Sequence, residues 1–378
     1  MNMNIEVVNA SSAAEEKKPF PSKKLLICLL AGAIVLALLA VLAIWAVWFF
    51  TTPPDNSAVV APDEPVAEQP EQPQPQQPVT TTPEPSAPVE DTPPAVTDEP
   101  KEKEMKKGWY TVLLAGTMDN WNTDTMMLCS IDSVNNKVRL VSVNRDIQVD
   151  APIDIPKLNA MYGWQKKDAR TMCAKITELT GVPINQYVVI GMDAFKDIID
   201  LIGGVEYTVP FDMVHPDLNL DYDINLPAGT RVLSGDEALQ FVRFRSTSEN
   251  DFGRVNRQKE FLIATMKQVL KKFSVTQIEN YISILNENVN TNMSVQDMVW
   301  YFTNVVAKMD FDEDLTSDTL PYDTTGYWTN PNANKYKTQS YVYLDPEQIV
   351  EYVNEHINPY TTDITVDDLN IPRWINED

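Results

Sequence analysis

Residues 110–146 read YTVLLAGTMDNWNTDTMMLCSIDSVNNKVRLVSVNRD. Three apolar runs stand in this stretch, Tyr110–Ala115, Thr125–Ile131 and Val138–Val143. Each has the length and the β-branched or aromatic content of a strand. Gly116 to Asn120 reads as the turn after the first run, and Asn135-Asn136-Lys137 as a hairpin turn between the second and third. An early hairpin followed by alternating helices and strands predicts an α/β protein with a mixed sheet in an α/β/α sandwich.

The chain beyond this stretch keeps to that pattern. Ala169–Leu179 is predicted as a helix, stopped by Gly181 with Pro183 beyond it. Tyr187–Ile190 is an apolar strand, and Asp193 is placed to cap a helix over Ala194–Ile202 that Gly203-Gly204 ends. Val205–Val209 is the next strand. Ser234-Gly235-Asp236-Glu237 has the spacing of a capping box. A long amphipathic helix is expected from Asp251 to about Lys272, then helices over Gln277–Asn286 and Val295–Met309. A strand near Ser340–Leu344 and a helix over Pro346–His356 close the domain.

Upstream, no charged residue occurs from Leu25 to Phe50. At 1.5 Å per residue this run spans ~39 Å of helix, enough for a bilayer core of roughly 30 Å. Lysines precede it, and Trp45, Trp48, Phe49 and Phe50 end it, which predicts a single-pass signal anchor with a cytoplasmic N-terminus. Residues 51–107 hold about half of the 27 prolines. Such a composition predicts a disordered linker reaching on the order of 170 Å. The expected organisation is a cytoplasmic tail (1–24), a transmembrane anchor (25–50), the linker, a folded domain (108–358) and a C-terminal tail (359–378). The folded domain would then lie outside the cell membrane.

The candidate chemistry sits at strand and helix ends. Phe-Val-Arg-Phe-Arg (241–245) alternates, so as a strand it would point Arg243 and Arg245 to one side. Arg254 and Arg257 are three apart and would share a helix face. Guanidiniums converging on one spot suit an anion with phosphate or carboxylate oxygens, although arginine clusters are more often solvated faces. Asp119 and Asp124 flank the first turn. Paired loop carboxylates suit Mg²⁺, and equally suit ordinary turn chemistry. Arg145-Asp146 directly follows the third run, and Lys157-Leu158-Asn159 lies in a loop.

The totals narrow the function classes. With 54 acidic against 30 basic residues the net charge is -24. A surface so acidic argues against nucleic acid as a partner. The two histidines and three cysteines show no zinc-ligand spacing and no Cys–His or Ser–His pair. Cys129 and Cys173 read as buried free thiols, with a disulfide between them as the other reading.

The succession Val-Leu-Leu-Ala-Gly, Asp-Thr-Met-Met-Leu, Val-Ser-Val-Asn-Arg-Asp, Lys-Leu-Asn-Ala-Met-Tyr, Gly-Gly-Val, Phe-Val-Arg-Phe-Arg and Asp-Phe-Gly-Arg-Val-Asn-Arg-Gln resembles the LytR-CpsA-Psr family. The resemblance implies a membrane-anchored phosphotransferase of the Gram-positive envelope. It would move a glycopolymer, such as wall teichoic acid or capsule, from a polyprenyl-pyrophosphate carrier to peptidoglycan. It implies a polyprenyl-binding groove beside the sheet, with arginines and Mg²⁺ at its mouth. By position it assigns the pyrophosphate to Arg145, Arg243, Arg245 and Arg254, with Arg257 and Gln258 ending the motif and Gln258 the polar contact. Asp124 would hold Mg²⁺ or steer the acceptor hydroxyl, and Asp119, one place after the family's usual metal aspartate, is the carboxylate that would substitute for it through a shifted turn. Two positions depart from the family pattern: Met118 stands where an aspartate is usual, and Asn122 where an arginine is usual. A non-catalytic binder or scaffold for polyprenyl-linked glycans is the alternative these departures leave open.

Overall fold

The computed structural model describes residues 50–57, 59–61, 103–117, 121–164, 166–215, 223–245, 250–272, 289–334 and 338–374. The predicted anchor (except Phe50), most of the linker, Asp119 and the predicted helix over Gln277–Asn286 lie outside them. Among the described residues no helix is long and apolar enough to cross a membrane.

The 110–146 stretch forms β1 (Trp109–Thr117), β2 (Thr123–Asp132) and β3 (Lys137–Ser142), each longer than its apolar run or offset from it by a residue. Asn136 takes a left-handed φ of 56° in the hairpin turn, a conformation asparagine tolerates better than most residues. β4 (Gln186–Gly191) adds parallel to β1. β5 (Val205–Val209), β6 (Met213–His215), β7 (Ile224–Leu226) and β8 (Gly229–Leu233) form two small hairpin sheets, β5 with β8 and β6 with β7. β9 (Val289–Thr291) and β10 (Leu315–Thr319) complete the main sheet in the order β10-β3-β2-β1-β4-β9. β11 (Thr324–Thr329) and β12 (Thr338–Tyr343) pair as a separate hairpin.

Successive residues of a strand face opposite sides, and the core divides accordingly. Leu113, Ala115, Met126, Leu128 and Val189 pack under the helices Ala169–Thr180 and Pro346–His356. Tyr110, Val112, Cys129, Ile131 and Leu140 face the other way, against Leu262, Ile263 and Met266 of the helix Asn250–Lys272 and Trp300 and Tyr301 of the helix Val295–Asn304. The predicted α/β/α arrangement with a mixed sheet is therefore the observed one. Gly181 ends its helix with φ 69°, and Ser234 and Ser294 each make a full capping box. Gly191, one residue before the helix Met192–Leu201, caps it, and Asp193 sits in its first turn instead. Cys129 and Cys173 are buried free thiols.

Two expectations change. First, residues 241–245 are not a strand. The helix opened by the Ser234 capping box runs from Gly235 to Arg243, and Phe244 is its C-cap. On that helix Phe241 and Phe244, three apart, are both buried, so the apolar residues serve a helical face. Second, the domain is wider than 108–358. The Val60 N–H donates to the Ile184 carbonyl at 2.8 Å, and Asn185 Nδ2 donates to the Asn56 carbonyl at 2.8 Å. Beyond residue 358, Ile364 is buried in the main core. The Trp374 carbonyl accepts bonds from Gln148 and Tyr343, and its indole lies 5.2 Å from that of Trp328.

Candidate functional site

β1 and β4 run parallel and end together at Thr117 and Gly191. The carboxyl ends of parallel strands are where open α/β sheets place their ligands. There a cavity of about 290 Å³ opens between the sheet and the helices Met192–Leu201, Gly235–Arg243 and Asn250–Lys272. Its wall is apolar: Leu114 and Met127 from the sheet, Phe195, Ile198 and Ile199 from one helix, Leu239, Val242, Phe261 and Leu262 from the others. The polar groups lining it include Asp124, Thr125, Arg243, Arg254 and Gln258.

Each of these side chains has a structural reason for its place. Thr125 and Met127 alternate on β2 toward the cavity, as period-2 spacing requires. Arg243 occupies the last turn of its helix, where the helix dipole favours a cation. Arg254 lies in the second turn of the next helix and is only 2% exposed. A guanidinium held this far from water interacts strongly with any anion that reaches it, because the local dielectric is low. Gln258, one turn further on, ties the site together. Its Oε1 accepts from Thr125 Oγ1 at 2.8 Å, and its Nε2 donates to the Val242 carbonyl at 3.2 Å.

From Asp124 runs a chain of charges. Arg145 pairs with Asp124, and its Nε lies 3.7 Å from Asp146. Asp146 in turn accepts from Lys157 Nζ at 2.9 Å. Thus the strand-end pair Arg145-Asp146 and the loop Lys157-Leu158-Asn159, separate in sequence, meet beside Asp124. A small recess lined by Asp124, Ser142, Asn144, Arg145 and Gln258 joins the two groups.

The predicted site residues divide by placement. Asp124, Arg145, Arg243, Arg254 and Gln258 come together. Arg245 is exposed and lies outside the lining of the cavity. Arg257 is buried, but its described bond runs to the Phe244 carbonyl at 2.6 Å, with its guanidinium 5.6 Å from the Phe244 ring. It fixes the chain that carries Arg243, and it does not line the cavity. Sequence reading also passed over Thr125 and the apolar wall. Wall residues such as Phe195 and Leu239 carry no motif; only their positions on the inward faces of amphipathic helices could have marked them.

An α/β domain with an apolar cavity whose lining includes arginines and a carboxylate is the class these features define. The chain belongs to the LytR_cpsA_psr family, whose model matches residues 82–357. TagV of Bacillus subtilis (strain 168), a polyisoprenyl-teichoic acid–peptidoglycan teichoic acid transferase, is 28% identical over 275 residues, covering 69% of this chain and 67% of TagV. TagU of Bacillus anthracis (strain CDC 684 / NRRL 3495), of the same description, is 30% identical over 205 residues, covering 52% of this chain and 65% of TagU. The crystal structure of B. subtilis TagV superposes with a TM-score of 0.54 at 26% identity, covering 68% of this chain and all of that one (100%). TagT bound to LIIa-WTA gives a TM-score of 0.55 at 23% identity, covering 69% of this chain and 95% of that one, a likeness of fold.

Proposed function

We propose that this protein is a glycopolymer–peptidoglycan phosphotransferase. Family membership and the transferase relatives support the class. The observation that carries the reading is an apolar cavity whose lining also holds Arg243 and Arg254, which suits a polyprenyl chain ending in a pyrophosphate. In this reading the lipid tail fills the wall between Phe195, Leu239 and Phe261, and Arg243 and Arg254 grip the pyrophosphate. An acceptor hydroxyl attacks the phosphorus that bears the glycan, the bond to the polyprenyl phosphate breaks, and the hydroxyl proton passes to water. Asp124, held in place by Arg145, orients that hydroxyl. Phosphoryl transfer of this kind needs positioned charge more than a covalent nucleophile, and no such nucleophile is part of this reading.

Among the described residues no group of three or more His, Cys, Asp or Glu side chains could hold a metal ion. Mg²⁺ needs less, taking one or two carboxylates with water and substrate phosphate filling the rest. Asp124 is the carboxylate in the cavity lining, so the donor set fits an ion shared with a bound phosphate. When bound, Mg²⁺ would neutralise charge on the phosphates. The predicted anchor would hold the domain outside the membrane, where carrier lipid and peptidoglycan meet.

Full-length protein supplied with lipid-linked glycan, peptidoglycan and Mg²⁺ should release polyprenyl phosphate. The release should stop with a chelator and in Arg254→Gln. Tight lipid binding without release would instead favour a non-catalytic binder.

A further inference from the structure

The turn that leads into Asp124 carries a surface of its own. Trp121 is 55% exposed and Trp164 is 37% exposed. Both are large apolar side chains that a folded surface usually hides. They lie on adjoining segments. The backbone before β2 lies directly over the single helical turn Met161–Trp164, because a Cβ at Gly163 would come within 2.6 Å of the Trp121 carbonyl oxygen. Only glycine permits that approach.

Just beyond Trp164 the chain presents two exposed lysines, Lys166 and Lys167. Both are held at left-handed φ, 56° and 69°. For non-glycine residues this conformation is costly and persists only where surrounding contacts impose it. One such contact is the bond from Asn290 Nδ2 to the Lys167 carbonyl at 3.0 Å. The Lys167 ammonium sits 5.6 Å from the centre of the Trp121 ring. The neighbouring charges, Asp168 and Arg170, pair with each other at 2.8 Å. The patch therefore offers aromatic rings and ammonium groups in a chain whose net charge is -24.

The geometry points to this patch as the acceptor subsite: a docking surface for a glycan strand whose stem peptides carry carboxylates, the chemistry of peptidoglycan. Indole rings offer broad, rigid, amphipathic faces at low entropic cost, which suits the C–H face of a sugar ring. The lysines answer the carboxylates. Position chooses the acceptor over the donor. The donor's lipid and pyrophosphate belong to the cavity and to Arg243 and Arg254, whereas Trp121 precedes Asp124, the residue assigned to the acceptor hydroxyl, by three positions. This inference rests on the transferase reading for its choice of glycan.

The test uses the full-length protein in detergent and a soluble peptidoglycan disaccharide-peptide as probe, with affinity read by calorimetry. Trp121→Ala and the double variant Lys166→Gln/Lys167→Gln should each weaken probe binding by about tenfold or more. Trp121→Phe should restore most of the affinity, and binding of polyprenyl pyrophosphate should be unchanged throughout. Unchanged probe affinity in Trp121→Ala, or an equal loss of donor binding, overturns the subsite. Probe binding that depends on Trp121 without any transfer by the wild type would uphold the subsite and sink the transferase reading. Transfer by Trp121→Ala at an unchanged acceptor KM would do the reverse.

Discussion

At the scale of single residues, burial separates arginines that look alike in sequence. Arg254 lines the cavity at 2% exposure, while Arg245 stands in solvent outside it. Charge–charge energy depends steeply on the surrounding dielectric, so the two should not be equivalent. Arg254→Ala should cost roughly 2–5 kcal/mol of pyrophosphate affinity, as loss of one partner of a desolvated charged contact does. Arg245→Ala should stay within the ~0–1 kcal/mol of an exposed ion pair. Titration of each variant with polyprenyl pyrophosphate measures both, and equal losses would remove the distinction. Gln258 is the residue that joins β2 to the end of the Gly235–Arg243 helix. Gln258→Met keeps the volume but strands the Val242 carbonyl and the Thr125 hydroxyl. It should destabilise the fold by about 1–3 kcal/mol, read as a lower midpoint in urea.

At the scale of elements, the sheet strands behave as their composition requires, and the thiols report it. Cys129 lies on β2 facing the Asn250–Lys272 and Val295–Asn304 helices, and burial pushes its pKa up to about 12. Burial likewise raises the Cys173 thiol, on the opposite face of the sheet. Neither should react with a thiol reagent at pH 8 in a Cys28→Ser variant until the protein is unfolded, when two equivalents should react. The sign of the linkage is also set. Between the ordinary thiol value near 8.5 and the raised one, the unfolded chain ionises and the native chain does not. These groups therefore lower stability as pH rises through that window. Rapid labelling of the native protein would contradict the buried placement. The Gly235–Arg243 helix shows the limit of period counting. Val-Arg-Phe-Arg fits an alternating strand, but four residues cannot distinguish a period of 2 from one of 3.6, and the upstream capping box decided the matter.

At the scale of the whole molecule, the domain is closed by segments that composition assigned to a linker and a tail. Ile364 sits in the main core against Gly181, and Trp374 bonds to Gln148 and Tyr343. Ile364→Ala should destabilise by about 2–5 kcal/mol, the cost of a buried large-to-small change. A chain stopped at residue 358 should lose more than that single variant. Denaturant melts of the two settle it; a truncated chain as stable as the parent would show the segment to be a tail after all.

Read alone, the sequence determined the local and periodic features. Apolar runs of strand length, capping boxes at Ser234 and Ser294 and the terminator Gly181 depend on neighbours a few residues away. Their physics is contained in the stretch that carries them. The motif order gave the family and brought Asp124, Arg145, Arg243, Arg254 and Gln258 to notice. Only the tertiary structure decided which arginines enter the cavity, because desolvation is a property of everything packed around a side chain. It also decided that the Trp121 backbone lies over Gly163, next to Trp164 in the chain, since that approach spans two segments that no sequence period relates.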